Sequence, residues 1–515
     1  MDREDRNMTP RWIGTLGLAL VLLALMGGGC RPSGDAAEGR AEPVATGKTP
    51  LERPEQRDPD AGLQGAVNRA GSLRLELSPA RRPRVLSEAA PDVGTWFRQV
   101  LIRGHQESGF ADQPGSAEAR VAFERYAEIF GEEWGEDVEP IVEAARLARQ
   151  AGSPDPFLLY IMARYGAVPD SSAGRIEQAR GMVESVLALH GTRHHPLIRF
   201  IAAFRATSHV RQADWNTVRD NLNMVVSVHM EDAIRDTNAP PKYLFGQLVG
   251  WLRFTGNPAW VEWVLEDAEA LLKEHWGQTA HYHGLMAEVG VIRAWKARGS
   301  GYANTVTSDG WKKFGQQLAL AERHLNQAWQ MELRDPDLAV VGLKIELGQA
   351  KGRAVAERWF ERAMALDPNH YDACSSMAYY LEPKWHGSEQ ECLRFARKCV
   401  QSEVWGGRVP LILADTHHKM AAWKKQAESP AYWGRPEVWT DIRDSYEKFF
   451  RLNTDPESRR FRHAYARDAF LCGKHAQFLV QVDLLGDSAE HGFFGGEAEL
   501  ERMLAHARAA MVGGR

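Results

Sequence analysis

Residues 353–368 read RAVAERWFERAMALDP, and the spacing of three of them decides the fold. Ala356, Phe360 and Ala363 fall at offsets of four and three, which places them on one face of a helix. Pro368 comes five residues after Ala363 and stops that helix, because its ring cannot continue the backbone hydrogen bonding. The small alanines let a second helix approach closely, and the large Phe360 fills the groove between the two. Upstream, Leu338, Val341, Gly342 and Ile345 carry the spacing of a facing first helix. Ala321, Leu325 and Ala328 repeat the four-three pattern 35 residues earlier, and Cys392, Ala396 and Cys399 repeat it 36 residues later. Between these lies another first helix, with Cys374, Met377, Ala378 and Leu381.

This is the second-helix signature of a tetratricopeptide repeat, whose usual unit is about 34 residues. The one or two extra residues belong in the turn between helices. Weaker echoes occur at Ala179, Val183 and Val186 before Pro196, and at Ile442, Tyr446 and Phe449 before Pro456. Tyr465, Ala466 and Ala469 suit the first helix of a final unit, which Leu471 to Asp487 would close. Trp311, Phe314, Leu318, Ala321, Leu325 and Ala328 form one apolar stripe, with Thr307, Ser308 and Asp309 before it as caps. Strand-like alternation is almost absent, and Ala, Leu, Glu, Arg and Gln, all good helix formers, dominate. The expected fold is all-α: a right-handed superhelical array of antiparallel helix pairs, a tetratricopeptide-like solenoid. An irregular helical domain with chance spacing is the alternative.

The stretch from Ala294 to Trp311 (AWKARGSGYANTVTSDGW) resembles a block of an uncharacterised bacterial family, domain of unknown function 4034. So do Trp359-Phe360-Glu361-Arg362-Ala363, the run Tyr380 to Ser388 (YLEPKWHGS), and the segment from Tyr465 to Asp487. The resemblance covers roughly residues 280 to 487. It implies a tetratricopeptide-like helical fold and carries no chemistry with it.

At the other end, Trp12 to Met26 (WIGTLGLALVLLALM) is apolar, with Arg11 before it and Gly27-Gly28-Gly29-Cys30 after it. A basic start, an apolar middle and small residues at a cut site are the layout of a secretory signal. A cysteine directly after the glycines resembles a bacterial lipoprotein signal, in which Cys30 is acylated and becomes the new N-terminus. Gly27 stands where such signals usually carry Leu. An uncleaved anchor is the alternative, although the run is shorter than the roughly 20 apolar residues of a spanning helix. Asp2, Glu4 and Asp5 offset Arg3 and Arg6, so a start at Met8 gives the better basic region. Residues 31 to about 65 hold five prolines and no aromatic residue, too little apolar surface to offset the entropy of ordering. The expected organisation is a signal peptide at 1–29, a disordered tether at 30–65, an uncommitted stretch at 66–90, a degenerate helix-pair region at 91–280, a tetratricopeptide-like domain at 281–487, and a C-terminal helix and tail at 488–515.

The net charge of -5 and the absence of a Lys/Arg block leave no electrostatic footprint for nucleic acid. Beyond Cys30 lie Cys374, Cys392, Cys399 and Cys472, with no C-x-x-C among them. Cys392 and Cys399 are two helical turns apart, about 10 Å, too far to pair with each other. Buried thiols are expected, with a bridge to Cys374 left open.

The loop Arg298-Gly299-Ser300-Gly301 follows a helix and lacks the Gly-Lys-Ser/Thr of a phosphate cradle, so a connector is the first reading. A candidate ligand loop is kept at Arg298, Gly299, Ser300, Gly301, Tyr302 and Asn304, ordered by side chains of the Asn304 to Thr307 segment. Histidines occur as His194-His195, His281/His283 and His417-His418, and neighbours on a helix point about 100° apart. They are expected to be solvated or capping, not metal ligands. Trp385, Trp405, Trp433 and Trp439 fall in Gly/Pro-rich connectors and are expected to plug gaps between stacked units. No catalytic motif, metal site or cofactor is expected. The functional expectation is an exported, lipid-anchored protein of the cell envelope that binds a protein or peptide partner through the repeats. The packing residues would be Leu338, Gly342, Ala356, Phe360, Ala363 and Pro368. Two rivals stand beside it: an enzyme whose active site hides in the all-helical body, and a purely structural envelope scaffold.

Overall fold

The computed structural model describes residues 93–513 except 129–137, 168–171, 213–215, 256–257, 425–427, 455 and 487–488. The expectations for the signal, for Cys30, for the tether and for most of the 66–92 stretch therefore lie outside the described residues. Within them every regular element is helical and none is a strand. No described helix is long and apolar enough to cross a membrane. Contacts divide the chain into a first unit that runs to Leu285 and takes in Ser300–Thr305, and a second of Met286–Gly299 and Val306–Arg515.

The first unit contains α1 (Val93–Glu107), α2 (Ser116–Glu128), α3 (Glu139–Gln150), α4 (Pro156–Tyr165), α5 (Ser172–His190), α6 (Pro196–Gln212), α7 (Asn216–Arg235), α8 (Pro241–Thr255) and α9 (Pro258–Trp276). Each of α1 to α6 packs on the helix that follows it, and α9 packs on both α7 and α8. The aromatic core starts at Phe97, Phe123, Tyr126 and Phe157, all essentially inaccessible. Tyr126 meets Phe157 edge-on at 5.0 Å between ring centroids, an arrangement that adds to the burial of both rings. α4 begins where it does because Pro156 fits the first helical turn and Asp155 caps it, accepting from Phe157 N at 2.8 Å. The α10 helix (Ala280–Arg298) contains the boundary between the units.

The second unit continues with α11 (Ser308–Gln330), α12 (Pro336–Gln349), α13 (Arg353–Leu366), α14 (Tyr371–Tyr380), α15 (Glu389–Gln401), α16 (Ile412–Trp423), α17 (Ser429–Trp433), α18 (Pro436–Leu452), α19 (Phe461–Leu471), α20 (His475–Leu485) and α21 (Glu497–Gly513). Its starts are written in the sequence. Thr307 accepts from Gly310 N at the head of α11, and Asp335 accepts from Asp337 N ahead of Pro336 in α12. Ser388 caps α15, its hydroxyl accepting from Glu391 N at 3.3 Å and donating to the Glu391 carboxylate at 2.9 Å. α13 ends at Leu366, with Asp367 as its C-cap, directly before Pro368.

The four-three triplets fall on alternate helices and are buried: Ala321, Leu325 and Ala328 on α11, Ala356, Phe360 and Ala363 on α13, Cys392, Ala396 and Cys399 on α15. α12 packs on α13 and also on α14, and α14 packs on α15 and also on α16. Gly342 shows how close the approach is. A Cβ there would lie 2.4 Å from the Trp359 ring, so only glycine lets α12 rest on α13. Leu338 is buried beside it. α19, α20 and α21 close the chain around Phe478, Leu485 and Met503.

Two expectations change. Trp311 is 40% exposed and leaves the buried α11 stripe, which starts at Phe314; its indole sits at the first turn, against the Phe314 ring and under the Arg298 guanidinium. Trp433 and Trp439 lie in α17 and α18, not in connectors, because prolines at 430 and 436 start new helices there. Trp385 and Trp405 do lie in connectors and do fill gaps, Trp385 against Trp295 at 5.7 Å and Trp405 against Phe360 at 5.6 Å. The four cysteines are free, buried thiols. Cys392 donates to the Leu381 carbonyl at 3.0 Å, and burial pushes its thiol up to about 12.

Candidate functional site

The histidine pairs depart most from expectation. His194 and His417 are buried rather than solvated, His418 is 32% exposed, and His281 and His283 are half-buried; His195 keeps the expected capping role, its Nδ1 accepting from Leu197 N at 3.2 Å. His194 and His195, in the connector ahead of α6, and His417 and His418, neighbours on α16 that diverge by a 100° helical step, each turn to a different carboxylate. His194 Nε2 lies 2.9 Å from Asp155 Oδ1, while His195 Nε2 lies 2.9 Å from Asp236 Oδ2. His417 Nε2 lies 3.0 Å from Asp441 Oδ2 and its Nδ1 2.7 Å from the Tyr432 hydroxyl; His418 Nε2 lies 2.8 Å from Asp468 Oδ1. Burial disfavours the His418 cation, but the Asp468 carboxylate outweighs it and raises the imidazole above its ordinary value.

Asp155 is the most connected of these groups. It is 0% exposed and accepts from three donors on three elements. Besides Phe157 N and His194, His105 Nδ1 reaches its Oδ2 at 2.7 Å. Burial alone would raise its pKa; the charge of His194 and the hydrogen bonds from His105, His194 and Phe157 overcome that and hold the carboxyl at about 2. An ionised carboxylate only accepts, so His105 carries a proton on Nδ1, and in the neutral ring Nε2 is the acceptor. The Ser116 hydroxyl lies 3.0 Å from that Nε2. Serine, imidazole and carboxylate thus form one hydrogen-bonded chain.

Ser116 is placed by Gly115 and by the start of α2. Gly115 has φ +73, and a Cβ on it would come within 2.6 Å of the Ala148 carbonyl oxygen and 2.7 Å of Ser153 N, so no other residue fits. Its own carbonyl accepts from Ala119 N, which makes Ser116, Ala117 and Glu118 the first turn of the helix. Their N–H groups precede the first intrahelical acceptor. The His105 ring is held between Phe110 and Phe123, at 5.9 and 5.5 Å. A pocket of about 530 Å³ opens over this point, with His105, Ser116, Ala117 and Glu118 in its lining.

A second buried histidine group lies in the same unit. His190 Nδ1 and His229 Nε2 are 3.2 Å apart, and Arg199, paired with Asp232 at 3.8 Å, bears on both. Burial first, then the Arg199 charge, lowers His190, and the same causes hold His229 well below 6.5. The folded pair is therefore neutral at a pH where the unfolded chain begins to take up protons. Stability is complete above about 6.5 and falls as the pH drops below it toward the folded values, by up to about 1.4 kcal/mol per pH unit for each group. Urea unfolding at about pH 7.5 and about pH 5.5 should differ by about 1–3 kcal/mol; coincident curves would contradict a neutral buried pair.

The residues singled out in the sequence fall elsewhere. Arg298 stacks over Trp295 at 5.6 Å and Trp311 at 5.4 Å. Gly299 takes φ +76 as a connector requires. Ser300, Gly301 and Asn304 are exposed, Tyr302 is 78% exposed, and the Thr305 hydroxyl donates to the Tyr302 carbonyl at 2.8 Å. None of them lines the Ser116 pocket. Leu338, Gly342, Ala356, Phe360 and Ala363 are buried packing residues, and Pro368 is an exposed helix stop. Sequence reading missed Ser116, His105 and Asp155 altogether. The one local signal was Asp155-Pro156, a cap ahead of a helix, which names the carboxylate but not its partners. No family model, curated protein or solved structure matches this chain.

Proposed function

We propose that this chain is an exported, lipid-anchored helical-repeat protein of the cell envelope, acylated at Cys30, that binds a protein or peptide partner through its second unit. On this reading the second unit is a right-handed array of tetratricopeptide-like helix pairs, and its resemblance to domain of unknown function 4034 belongs to the same proposal. The observation that supports it is the packing of α12 on both α13 and α14, repeated by α14 on α15 and α16. A first helix that meets its own partner and also the next first helix builds a row, and such rows form the concave face of a solenoid. On that row Tyr379 is half-buried and has Lys384 Nζ 4.5 Å and Lys419 Nζ 5.8 Å from its ring centroid. Both lysines lean on one buried carboxylate, Glu382, at 3.0 and 3.7 Å. Two ammonium groups on one carboxylate leave a positive excess beside an aromatic ring, which suits an acidic segment of a partner.

The two parts are tested separately. Cys30→Ser should move the protein from the membrane fraction to the soluble one and abolish fatty-acid labelling; continued labelling would refute the anchor. A photo-crosslinking residue at Tyr379 should give a protein adduct in the native membrane, and one at the exposed Ala365 of α13 should not. The same adducts from both positions would remove the case for a docking face on the first helices.

A further inference from the structure

We propose that Ser116, His105 and Asp155 form a nucleophilic acyl-transfer site that hydrolyses esters of short-chain carboxylic acids. The proposal is independent of the docking role and lies wholly in the first unit.

Four observations meet at this point. The distances from Ser116 Oγ to His105 Nε2 and from His105 Nδ1 to Asp155 Oδ2 are 3.0 and 2.7 Å, the hydrogen-bond reach that a nucleophile, a base and its orienting acid need. Burial is graded in the useful order: Asp155 is 0% exposed, His105 4%, and Ser116 is half-buried at the pocket wall. The nucleophile therefore faces the pocket while the charge that orients the base is shielded from water. Thirdly, Ser116 opens a thirteen-residue helix, and Ala117 and Glu118, whose N–H groups precede its first backbone hydrogen bond, line the same pocket. No described residue accepts from them. Backbone donors at a helix N-terminus, beside the nucleophile, are what a developing oxyanion requires. Finally, the pocket holds about 530 Å³, with Ile102 and Phe123 as apolar wall and Gln113 and Arg120 as polar lining. That volume and that division suit a short acyl chain against the wall and a polar alcohol toward the polar side.

The chemistry closes without any further reagent but water. Ser116 Oγ bonds to the ester carbonyl carbon as its proton passes to His105 Nε2, and the carbonyl oxygen takes the negative charge beside the Ala117 and Glu118 N–H groups. The intermediate collapses, the C–O bond to the alcohol breaks, and His105 Nε2–H supplies the proton that the departing alkoxide takes. Water then adds to the acyl-Ser116 carbonyl, giving its proton to His105. The bond to Ser116 Oγ breaks, Oγ recovers that proton, and the carboxylic acid leaves. Asp155 accepts from Nδ1–H throughout and stabilises the transient imidazolium; it gains no proton. His194, on the far side of the carboxylate, is a positioning residue that keeps Asp155 from turning away from His105.

The full-length protein treated with a fluorophosphonate probe should be labelled at one position, and peptide mapping should place it at Ser116. Ser116→Ala should abolish labelling and p-nitrophenyl butyrate hydrolysis with an unchanged melting curve, because the side chain is small and half-exposed. His105→Gln should slow labelling by at least about 100-fold, the contribution of a positioned base. If His105→Gln fails to fold, the Ser116→Ala comparison still decides. An unlabelled Ser116 in folded protein, or butyrate hydrolysis equal in wild type and Ser116→Ala, would overturn the proposal and reduce the chain to a structural hydrogen-bond network.

Discussion

Replacing Asp155 with Ala should lower the stability of the first unit by about 3–5 kcal/mol, the range for breaking a buried interaction by removing one partner. Three donors lose their acceptor at once: His105 Nδ1, His194 Nε2 and Phe157 N. Water cannot replace it, because the carboxylate is fully enclosed, and each buried donor left unpaired costs about 1–3 kcal/mol. The loss at Phe157 N is the loss of the α4 cap, about 1 kcal/mol of that total. Asp236→Ala is the matched control. It too removes a carboxylate bound to a histidine, His195, but its side chain is 25% exposed and water can take its place. A loss of about 1 kcal/mol is expected there. Urea unfolding of both variants at neutral pH measures the difference. Equal losses would mean that the three-donor carboxylate is not a keystone of the unit.

Ala363→Leu should destabilise the second unit by about 1–3 kcal/mol through overpacking, whereas Ala365→Leu should be nearly silent. Ala363 is 0% exposed on the face that carries Ala356 and Phe360, while Ala365 is exposed on the same helix. The substitutions are alike in chemistry and helix propensity, so packing alone separates them. The room at Ala363 is fixed by its neighbours: Trp359 rests on Gly342, and the two helices cannot move apart without losing that contact. Thermal melts of the two variants provide the test. Equal melting temperatures would show that the register read from Ala356, Phe360 and Ala363 is wrong.

What the sequence by itself determined is the part governed by short range. The offsets of four and three in α11, α13 and α15 mark buried faces, because a helix repeats every 3.6 residues whatever surrounds it. Thr307 and Pro368 mark helix ends because caps and prolines act within four residues. What only the tertiary structure decided is the part that joins distant positions. His105 and Asp155 are 50 residues apart, Asp155 and His194 are 39 apart, and no periodicity links them. The carboxylate partners of His194, His195, His417 and His418 were not legible, because a sequence that reads as solvated or capping histidines does not show which carboxylate lies at the end of each side chain. Trp311 left its stripe for a related reason: period places a residue on a face, but what covers the first turn of that face is set by other elements, and Trp311 is 40% exposed. A buried charge needs partners from several elements at once, since one element cannot both enclose it and satisfy it. The packing of this protein could therefore be read along the chain, while the Ser116, His105 and Asp155 constellation exists only where α1, α2 and the cap of α4 meet.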